Sequence, residues 1–121
     1  MKLFHISDVL TVTTGRLVSR RHMAGVYDIL NFLTGDDLFT HQLPRAVQEC
    51  EPWLKTQFPQ LSPTNPIVAG MIAALDMDLA LAEPGGKGQV IANWVELVRT
   101  AFALPESLPV YELGSEGLCQ T

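Results

Sequence analysis

Cysteine, basic residues and long apolar runs are all scarce in this sequence, and each scarcity excludes a class of protein. The two cysteines, Cys50 and Cys119, lie far apart without a CxxC pair. Neither a disulfide framework nor a zinc site is therefore expected, and both thiols should stay reduced, as in a cytoplasm. No apolar run reaches the roughly 18 residues of a membrane-spanning helix, and residues 1–6 lack the apolar core of a secretory signal. The sequence predicts no membrane partner.

Composition predicts a folded domain with an acidic balance. Hydrophobic residues make up 47% of the 121 residues and charged residues 17%, which argues against intrinsic disorder. We expect one domain over residues 1–113 and a flexible tail over residues 114–121. Residues 1–45 hold five Lys and Arg against four Asp and Glu, whereas residues 46–121 hold three against nine. The net charge of −5 opposes attraction to nucleic acid and suits a basic protein surface, although it is also ordinary for a soluble protein.

Apolar periodicity predicts a mainly α fold of about five helices, with a short two-stranded element from the termini as an α+β variant. The predicted helices are residues 8–14 after a Ser7 cap, 23–33, a helix opened by Pro44 and split or kinked at Pro52, 66–82 after an Asn65 cap, and 90–102. The β-branched threonines leave an extended conformation open for residues 8–14. Residues 2–6 and 110–113 are candidate strands, 57–66 a linker within the domain, and 83–88 a flexible turn.

For three of the predicted helices, the sequence also predicts which residues are buried. In helix 23–33, with Ser19 as candidate cap and Gly35 as stop, the expected core face is Met23, Val26, Tyr27, Leu30 and Leu33. Helix 66–82 is apolar around nearly its whole circumference, so it should be buried, or half of it should be covered by a partner. Its Asp76 and Asp78 cannot share a face, so at least one must find solvent, a cap or a partner. Helix 90–102 is expected to bury Trp94, Leu97 and Val98.

A dense group of polar side chains follows helix 23–33. Leu38, Phe39 and Leu43 are expected to anchor this segment to the core. The polar side chains then left at the surface are the candidate partner-binding residues: Asp36, Asp37, His41, Gln42 and Arg45. The alternative is that these groups only satisfy buried backbone and one another.

Other chemical assignments find less support in the sequence. His41 could act as a general base with Thr40 or Cys50 as nucleophile, but no orienting carboxylate accompanies them, so no catalytic residue is assigned. Turn chemistry is sufficient for the adjacent Asp36 and Asp37, so no metal is expected. Residues 85–88, GGKG, lack Walker A spacing and the basic groove of an RNA clamp, so no cofactor is expected. The one basic concentration is Arg16, Arg20, Arg21 and Arg45, which could contact phosphate or be solvated.

Three stretches of this chain resemble a family of small uncharacterised proteins encoded by bacteriophages and prophages. They are SDVLTVTTGRLVS at residues 7–19, GVYDILNFLTGDDLFTHQLPRA at residues 25–46 and ECEPWL at residues 49–54. The resemblance covers roughly residues 6–61, and residues 94–113, with LPVYEL at residues 108–113, are more loosely similar to the usual ending of the family. It implies a phage gene product in the bacterial cytoplasm and no particular activity.

The leading functional hypothesis is a phage-encoded, non-enzymatic protein-binding module that inhibits or redirects a host bacterial protein. Inhibitors of CRISPR and other defence systems act in this way. A nucleic-acid-associated or regulatory phage protein that uses the four arginines is the alternative, and a small enzyme that uses His41 is the third candidate. The expected partner is a host protein rather than nucleic acid, and the pattern is compatible with both a monomer and a homodimer.

Overall fold

Five α-helices and two short strands build the part of the chain that the computed structural model describes, residues 1–113. In chain order they are β1 (Lys2–His5), α1 (Ile6–Thr14), α2 (Met23–Thr34), α3 (Leu43–Gln57), α4 (Pro66–Leu81), α5 (Lys87–Ala101) and β2 (Ser107–Val110). Short 3-10 turns at Thr40–Gln42, Pro59–Leu61 and Pro84–Gly86 precede α3, α4 and α5. The predicted mainly α class is confirmed, and the predicted tail lies outside the described residues.

Helix α1 lies at the centre of the fold. Eight of its nine residues are buried, and it packs against α2, α3, α5 and both strands. Its threonines are compatible with a helix because their hydroxyls bond to carbonyls one turn earlier. Thr11 Oγ1 donates to the Ser7 carbonyl at 2.9 Å, and Thr14 Oγ1 donates to the Leu10 carbonyl at 2.6 Å. Residues 8–14, for which an extended conformation had been left open, are therefore helical.

The start of α1 differs from the prediction. The helix begins at Ile6, so Ser7 is inside it and the predicted Ser7 cap is wrong. His5 is the N-cap, and its ring Nδ1 accepts the Ser7 backbone N–H at 3.2 Å. The helix ends, as predicted, before Gly15, whose φ of 72° is the left-handed conformation that glycine adopts without steric cost.

Strands β1 and β2 form an antiparallel pair in which Lys2 lies opposite Val110 and His5 lies opposite Ser107. The terminal two-stranded element is thus confirmed, but its second strand is three residues earlier than predicted. Leu108 and Val110 are buried and alternate with exposed residues, which is the pattern of a strand with one face on a core.

Residues 111–113 contact the helices instead of continuing β2. The Leu113 N–H donates to the Leu33 carbonyl at 3.0 Å. The Trp53 indole Nε1–H donates to the Tyr111 carbonyl at 2.8 Å, and the Tyr111 N–H donates to Gln57 Oε1 at 2.9 Å. These bonds hold the end of the described chain against α2 and α3.

Helices α2 and α3 pack on α1 and on each other. Val26, Leu30 and Leu33 of α2 are buried as predicted. Met23 is wrong as a core residue: it is the first residue of the helix and is exposed, and the buried positions of α2 begin only at Gly25.

Helix α3 continues through Pro52 as one helix rather than two. Pro44 lies in its first turn, as predicted. Cys50 and Leu54 are fully buried, and burial raises the pKa of the Cys50 thiol to about 11. Cys50 is therefore a protonated core residue, as its place on the apolar stripe predicted.

The proline-rich stretch at residues 57–66 is packed on the core, so its interpretation as a linker is wrong. Phe58 and Leu61 are buried with the core of α1 and α3. Asn65 caps α4 as predicted, because its Oδ1 accepts the Ile67 N–H at 3.0 Å.

Helix α4 has one face on the protein and one face open. Val68 and Leu75 are buried, whereas Ile67, Met77 and Leu81 are exposed. The expectation of a fully buried helix is therefore wrong, and coverage of the open face by a partner stays a prediction. Across residues 1–113, none of the helices combines the length and apolarity that crossing a membrane requires.

Helix α5 packs on α4 and α1. It begins at Lys87, so the predicted turn at residues 83–88 ends two residues early, after Gly86. Trp94 and Val98 are buried as predicted, but Leu97 is 56% exposed and is wrong as a core residue. Leu97 lies outside the arc of the helix that carries the buried residues Trp94, Val95 and Val98.

Candidate functional site

The five predicted partner-binding residues are all exposed, and they lie between α2 and the first turn of α3. Phe39 lies among them and was expected to anchor the segment to the core. That expectation is wrong, because Phe39 is 69% exposed. We call these six residues the loop patch: Asp36, Asp37, Phe39, His41, Gln42 and Arg45. Of the other two expected anchors, Leu43 is buried and Leu38 is half-buried.

Hydrogen bonds fix the course of the backbone through the loop patch. Gly35 ends α2 with a φ of 74°, which turns the chain away from the helix. The Leu38 N–H donates to Asn31 Oδ1 at 2.9 Å, and the Phe39 N–H donates to Gln42 Oε1 at 2.8 Å. The Gln42 side chain is thus used within the loop, which is the structural role that the alternative interpretation assigned to the whole group.

One ring contact and one hydrogen bond position the outer part of this segment. The Phe39 ring stacks on the His41 ring, with centroids 6.1 Å apart and planes within 3° of parallel. The Tyr27 hydroxyl is hydrogen-bonded to the Thr40 hydroxyl at 2.6 Å, which connects the 3-10 turn to α2. Phe39 and His41 therefore form one exposed pair of parallel rings.

Four of the five predicted residues line one groove, and the fifth lies beside it. Asp36, His41, Gln42 and Arg45 surround a groove of about 550 Å³. Asp37 lines only a neighbouring groove, together with Lys2 and Asp28, whereas Asp36 lines both grooves. Arg45 Nε lies 3.3 Å from Glu49 Oε1 at the same surface.

The four arginines do not form a common basic surface. Three of them pair with carboxylates: Arg16 with Asp76, Arg21 with Asp8 and Asp28, and Arg45 with Glu49. The guanidinium of Arg16 holds Asp76 through two bonds of 2.9 and 2.8 Å, and its hydrogen bonds lower the pKa of Asp76. Asp76 is therefore ion-paired with Arg16, and Asp78 is exposed to solvent. This agrees with the prediction that at least one of the two aspartates finds solvent, a cap or a partner.

A buried carboxylate that was not anticipated from the sequence holds residues 15–22 against α1. Asp8 is fully buried. It accepts a hydrogen bond from Ser19 Oγ at 2.5 Å and one from Arg21 Nη2 at 2.9 Å. The predicted role of Ser19 as cap of α2 is therefore wrong, because its hydroxyl is used by Asp8. Gly25 gives these groups room: a Cβ there would lie 2.1 Å from Ser19 Oγ and 2.4 Å from Asp8 Oδ1.

Arg21 extends this network to the surface. Its Nη2 also lies 3.0 Å from Asp28, which Lys2 contacts at 3.3 Å. Burial acts to raise the pKa of Asp28, but the hydrogen bonds from Arg21 and Lys2 outweigh it and lower that pKa. We call Asp8, Ser19, Arg21 and Asp28 the Asp8 network.

His5 is held in one neutral tautomer by its neighbours. Its Nδ1 accepts the Ser7 N–H and lies 2.7 Å from Ser7 Oγ, and Ser7 Oγ accepts the Arg20 N–H at 3.1 Å. Since Nδ1 is an acceptor, the neutral ring carries its proton on Nε2. Burial, together with the positive charge of Arg20, lowers the pKa of His5 below its usual 6.5.

This arrangement predicts a pH-dependent stability. The unfolded chain binds a proton at His5 near pH 6.5, whereas the fold binds it only at lower pH. The contribution of neutral His5 to the free energy of unfolding is therefore complete above that pH. It is lost as the pH falls below it. The melting temperature should decrease across this range, and it should decrease less for His5→Asn, which retains a capping side chain but does not titrate. Equal decreases in the two proteins would contradict this assignment.

The remaining sequence candidates lie in unreactive surroundings. Cys50, considered as a nucleophile, is a buried thiol with a raised pKa, which opposes formation of the reactive thiolate. Gly85 and Gly86 form a 3-10 turn, and the following Lys87 begins α5. Within residues 1–113, no group of three or more His, Cys, Asp or Glu residues is placed to hold a metal ion. Cys119 lies outside the described residues.

A second concave region was not anticipated from the sequence. His5, Ser7, Arg20, His22, Glu96 and Glu106 line a cleft of about 440 Å³, with apolar walls from Val18, Ile91 and Val95. We call it the N-terminal cleft. These residues come from β1, α1, residues 15–22, α5 and the approach to β2, so only the folded chain brings them together.

Comparison with known families places this chain in one of them. Residues 4–64 match a family described as a domain of unknown function, DUF7736. The match covers half of the chain, from β1 to the turn before α4, and the protein belongs to this family. No curated protein and no solved structure matches the sequence. The matched region contains the Asp8 network and the loop patch, whereas α5, which completes the N-terminal cleft, follows it.

Proposed function

We propose that this protein is a phage-encoded, non-enzymatic binding module that acts in the bacterial cytoplasm. It docks on a host protein and inhibits or redirects it, as inhibitors of CRISPR and other defence systems do. The observation that carries the proposal is the loop patch, in which hydrogen bonds fix the backbone while the side chains stay exposed. The resemblance to phage proteins supplies the biological setting.

Phe39 is the residue of the patch with the most binding energy to offer. Most of its ring is exposed in the free protein, and full burial of such a side chain contributes about 1.5–3 kcal/mol. Aromatic residues and arginine are enriched among the residues that dominate protein–protein binding. Phe39, stacked on His41 and beside Arg45, supplies both kinds in one place.

The fixed backbone of the patch favours binding for a second reason. A complex loses affinity when a loop must become ordered on association. The bonds from Asn31 and Gln42 to the loop backbone already order it in the free protein. The loop patch can therefore bind without that cost.

The charges of the patch indicate the kind of surface it fits. Asp36, Asp37 and the adjacent Glu49 outnumber Arg45, which is itself in contact with Glu49. Surface ion pairs of this kind contribute only about 0.3–0.5 kcal/mol, so Arg45 can exchange partners. We infer a host surface that is mainly basic and has an apolar pocket for Phe39.

The alternative, a nucleic-acid-associated protein, has less support from the geometry. Phosphate binding requires positive charge that is free to replace counterions. Three of the four arginines that would supply it are paired with carboxylates of the same chain. The pairs favour a protein partner over nucleic acid.

Substitutions in the patch should separate binding from stability. We expect Phe39→Ala to weaken capture of the host partner at least tenfold, about 1.4 kcal/mol, and His41→Ala and Arg45→Ala to weaken it less. All three residues are exposed, so each variant should unfold within about 0.5 kcal/mol of the wild type. The measurements are quantitative pull-down from host lysate and urea unfolding.

Leu81→Ala and Asp78→Ala are the matched controls, since both residues are exposed on α4 and outside the patch. They also test the competing prediction that a partner covers the open face of α4, whereas docking through the loop patch leaves them unaffected. Both should capture the partner normally. If His41→Ala and Arg45→Ala lose stability but bind normally, the patch is a structural network and the proposal fails. Binding of DNA or RNA in a mobility-shift assay, with loss in Arg20→Gln, would favour the alternative function.

A further inference from the structure

The N-terminal cleft has the size of a small-molecule site and is separate from the loop patch. Its volume of about 440 Å³ lies within the range of roughly 300–1,000 Å³ for ligand pockets. None of the loop-patch residues lines it. Its apolar wall comes from Val18 and Val95, which are buried, and from Ile91, which is partly buried.

Among residues 1–113, the cleft has one positive and one negative side chain that form no ion pair, and the negative one, Glu106, lies within electrostatic range of Arg99. Within residues 1–113, the guanidinium of Arg20 and the carboxylate of Glu106 form neither an ion pair nor a hydrogen bond. Glu96, also in the cleft, differs because Arg99 holds both of its oxygens. The fixed charges available to a ligand are therefore one of each sign.

His5 adds a neutral hydrogen-bond donor to the lining of the same cleft. Its Nδ1 is occupied by Ser7, so Nε2–H is the ring group left for the cleft. Arg20 lowers the pKa of His5 and Glu106 raises it. Both side chains therefore lie within electrostatic range of the same imidazole.

The backbone is strained at the edge of the cleft. His22 has a φ of 54° and a ψ of −134°, a region that costs a residue other than glycine about 1–3 kcal/mol. Its N–H donates to the Ser19 carbonyl at 2.9 Å, and Ser19 is held by the Asp8 network. Such strain is concentrated at ligand sites, and here it places the His22 side chain in the cleft wall.

We propose that the N-terminal cleft binds a small zwitterion with an apolar body, of the class of free aliphatic amino acids. Arg20 binds the carboxylate and Glu106 binds the ammonium group. The aliphatic side chain lies on Val18, Ile91 and Val95. A simple anion would meet Glu106 without a counter-charge, and a simple cation would meet Arg20 in the same way, so a ligand with both charges fits best.

Calorimetric titration with amino acids and their half-charged analogues tests this proposal. The probes are L-valine, L-leucine, L-isoleucine and L-methionine, with isocaproate as leucine without its ammonium group and isoamylamine as leucine without its carboxylate. We expect saturable binding of at least one of these amino acids. Isocaproate and isoamylamine should each bind at least about tenfold more weakly than leucine.

Two substitutions assign the two ends of the ligand. Arg20→Gln should remove the preference for leucine over isoamylamine, and Glu106→Gln should remove the preference for leucine over isocaproate. Lys55→Gln and Asp78→Asn remove charges of the same sign outside the cleft and should bind like the wild type. Melting curves establish that each variant is folded.

Failure to bind any of the four amino acids by the folded wild type would overturn the proposal. So would equal binding of leucine and either analogue, or normal leucine affinity in both Arg20→Gln and Glu106→Gln. The loop-patch variants Phe39→Ala and Arg45→Ala should retain ligand binding, so this result is independent of the proposed docking function.

Discussion

Replacing Gly25 with alanine is expected to lower the free energy of unfolding by about 3 kcal/mol, at the upper end of the usual range for overpacking a core. The new Cβ would lie 2.1 Å from Ser19 Oγ and 2.4 Å from Asp8 Oδ1, so the hydrogen bond between these two atoms must be displaced. Helix propensity acts in the opposite direction, since alanine is favoured over glycine by about 1 kcal/mol. The clash is the larger effect because both atoms belong to the Asp8 network. Urea unfolding measures the difference.

Gly70→Ala is the matched control. Gly70 also lies inside a helix, but a Cβ added there would have no atom within 4 Å outside its own helical turn. This substitution should stabilise the protein by about 0.4–1 kcal/mol. Opposite signs for the two substitutions are expected, and a stabilising Gly25→Ala would contradict the packing of Ser19 and Asp8 against α2.

Leu30→Ala is expected to destabilise the protein by about 2–5 kcal/mol, the usual cost of truncating a buried leucine. Leu30 is 0% exposed and lies on the face of α2 that packs in the common core. The truncated side chain leaves a cavity that the surrounding helices fill only in part. Thermal or urea unfolding checks the result.

Leu97→Ala tests whether the cost of Leu30→Ala comes from the burial of Leu30 rather than from the loss of a helical leucine. Leu97 is a helical leucine like Leu30, but it is 56% exposed. Its truncation should change the free energy of unfolding by no more than about 0.5 kcal/mol. Equal effects of the two substitutions would mean that the packed faces of α2 and α5 are assigned incorrectly.

The helices were predictable because their signals are local. Apolar periodicity identified α2 and α5, and Gly35, Pro44 and Asn65 marked helix ends by their own backbone preferences. Errors arose where a position depends on distant residues. Strand β2 ends at Val110 because its partner β1 and the contacts of residues 111–113 set its length.

The Asp8 network could not be predicted from spacing. Asp8 and Ser19 are eleven positions apart and belong to no known motif, and their contact exists because residues 15–22 fold back on α1. Two local signals were present: an aspartate as the one charged residue of helix α1, and Gly25 inside the clearest helix. Each indicates a close tertiary contact without identifying the partner.

The candidate site was predicted in part. Exposure of Asp36, Asp37, His41 and Arg45 followed from their polarity, but Phe39 was assigned to the core because it is apolar. Its actual place depends on the 3-10 turn that stacks it on His41. The N-terminal cleft was missed because its residues are separated by up to a hundred positions along the chain.

Photo-crosslinking from the loop patch tests the central claim most directly. A photoreactive amino acid at position 41 and, as control, at position 78 on α4 can be activated in host cells that produce the protein. We predict one discrete host protein crosslinked from position 41, absent from position 78, and lost when Phe39→Ala is added. Crosslinking of a host protein from position 78 alone, or from position 41 without dependence on Phe39, would contradict docking through the loop patch.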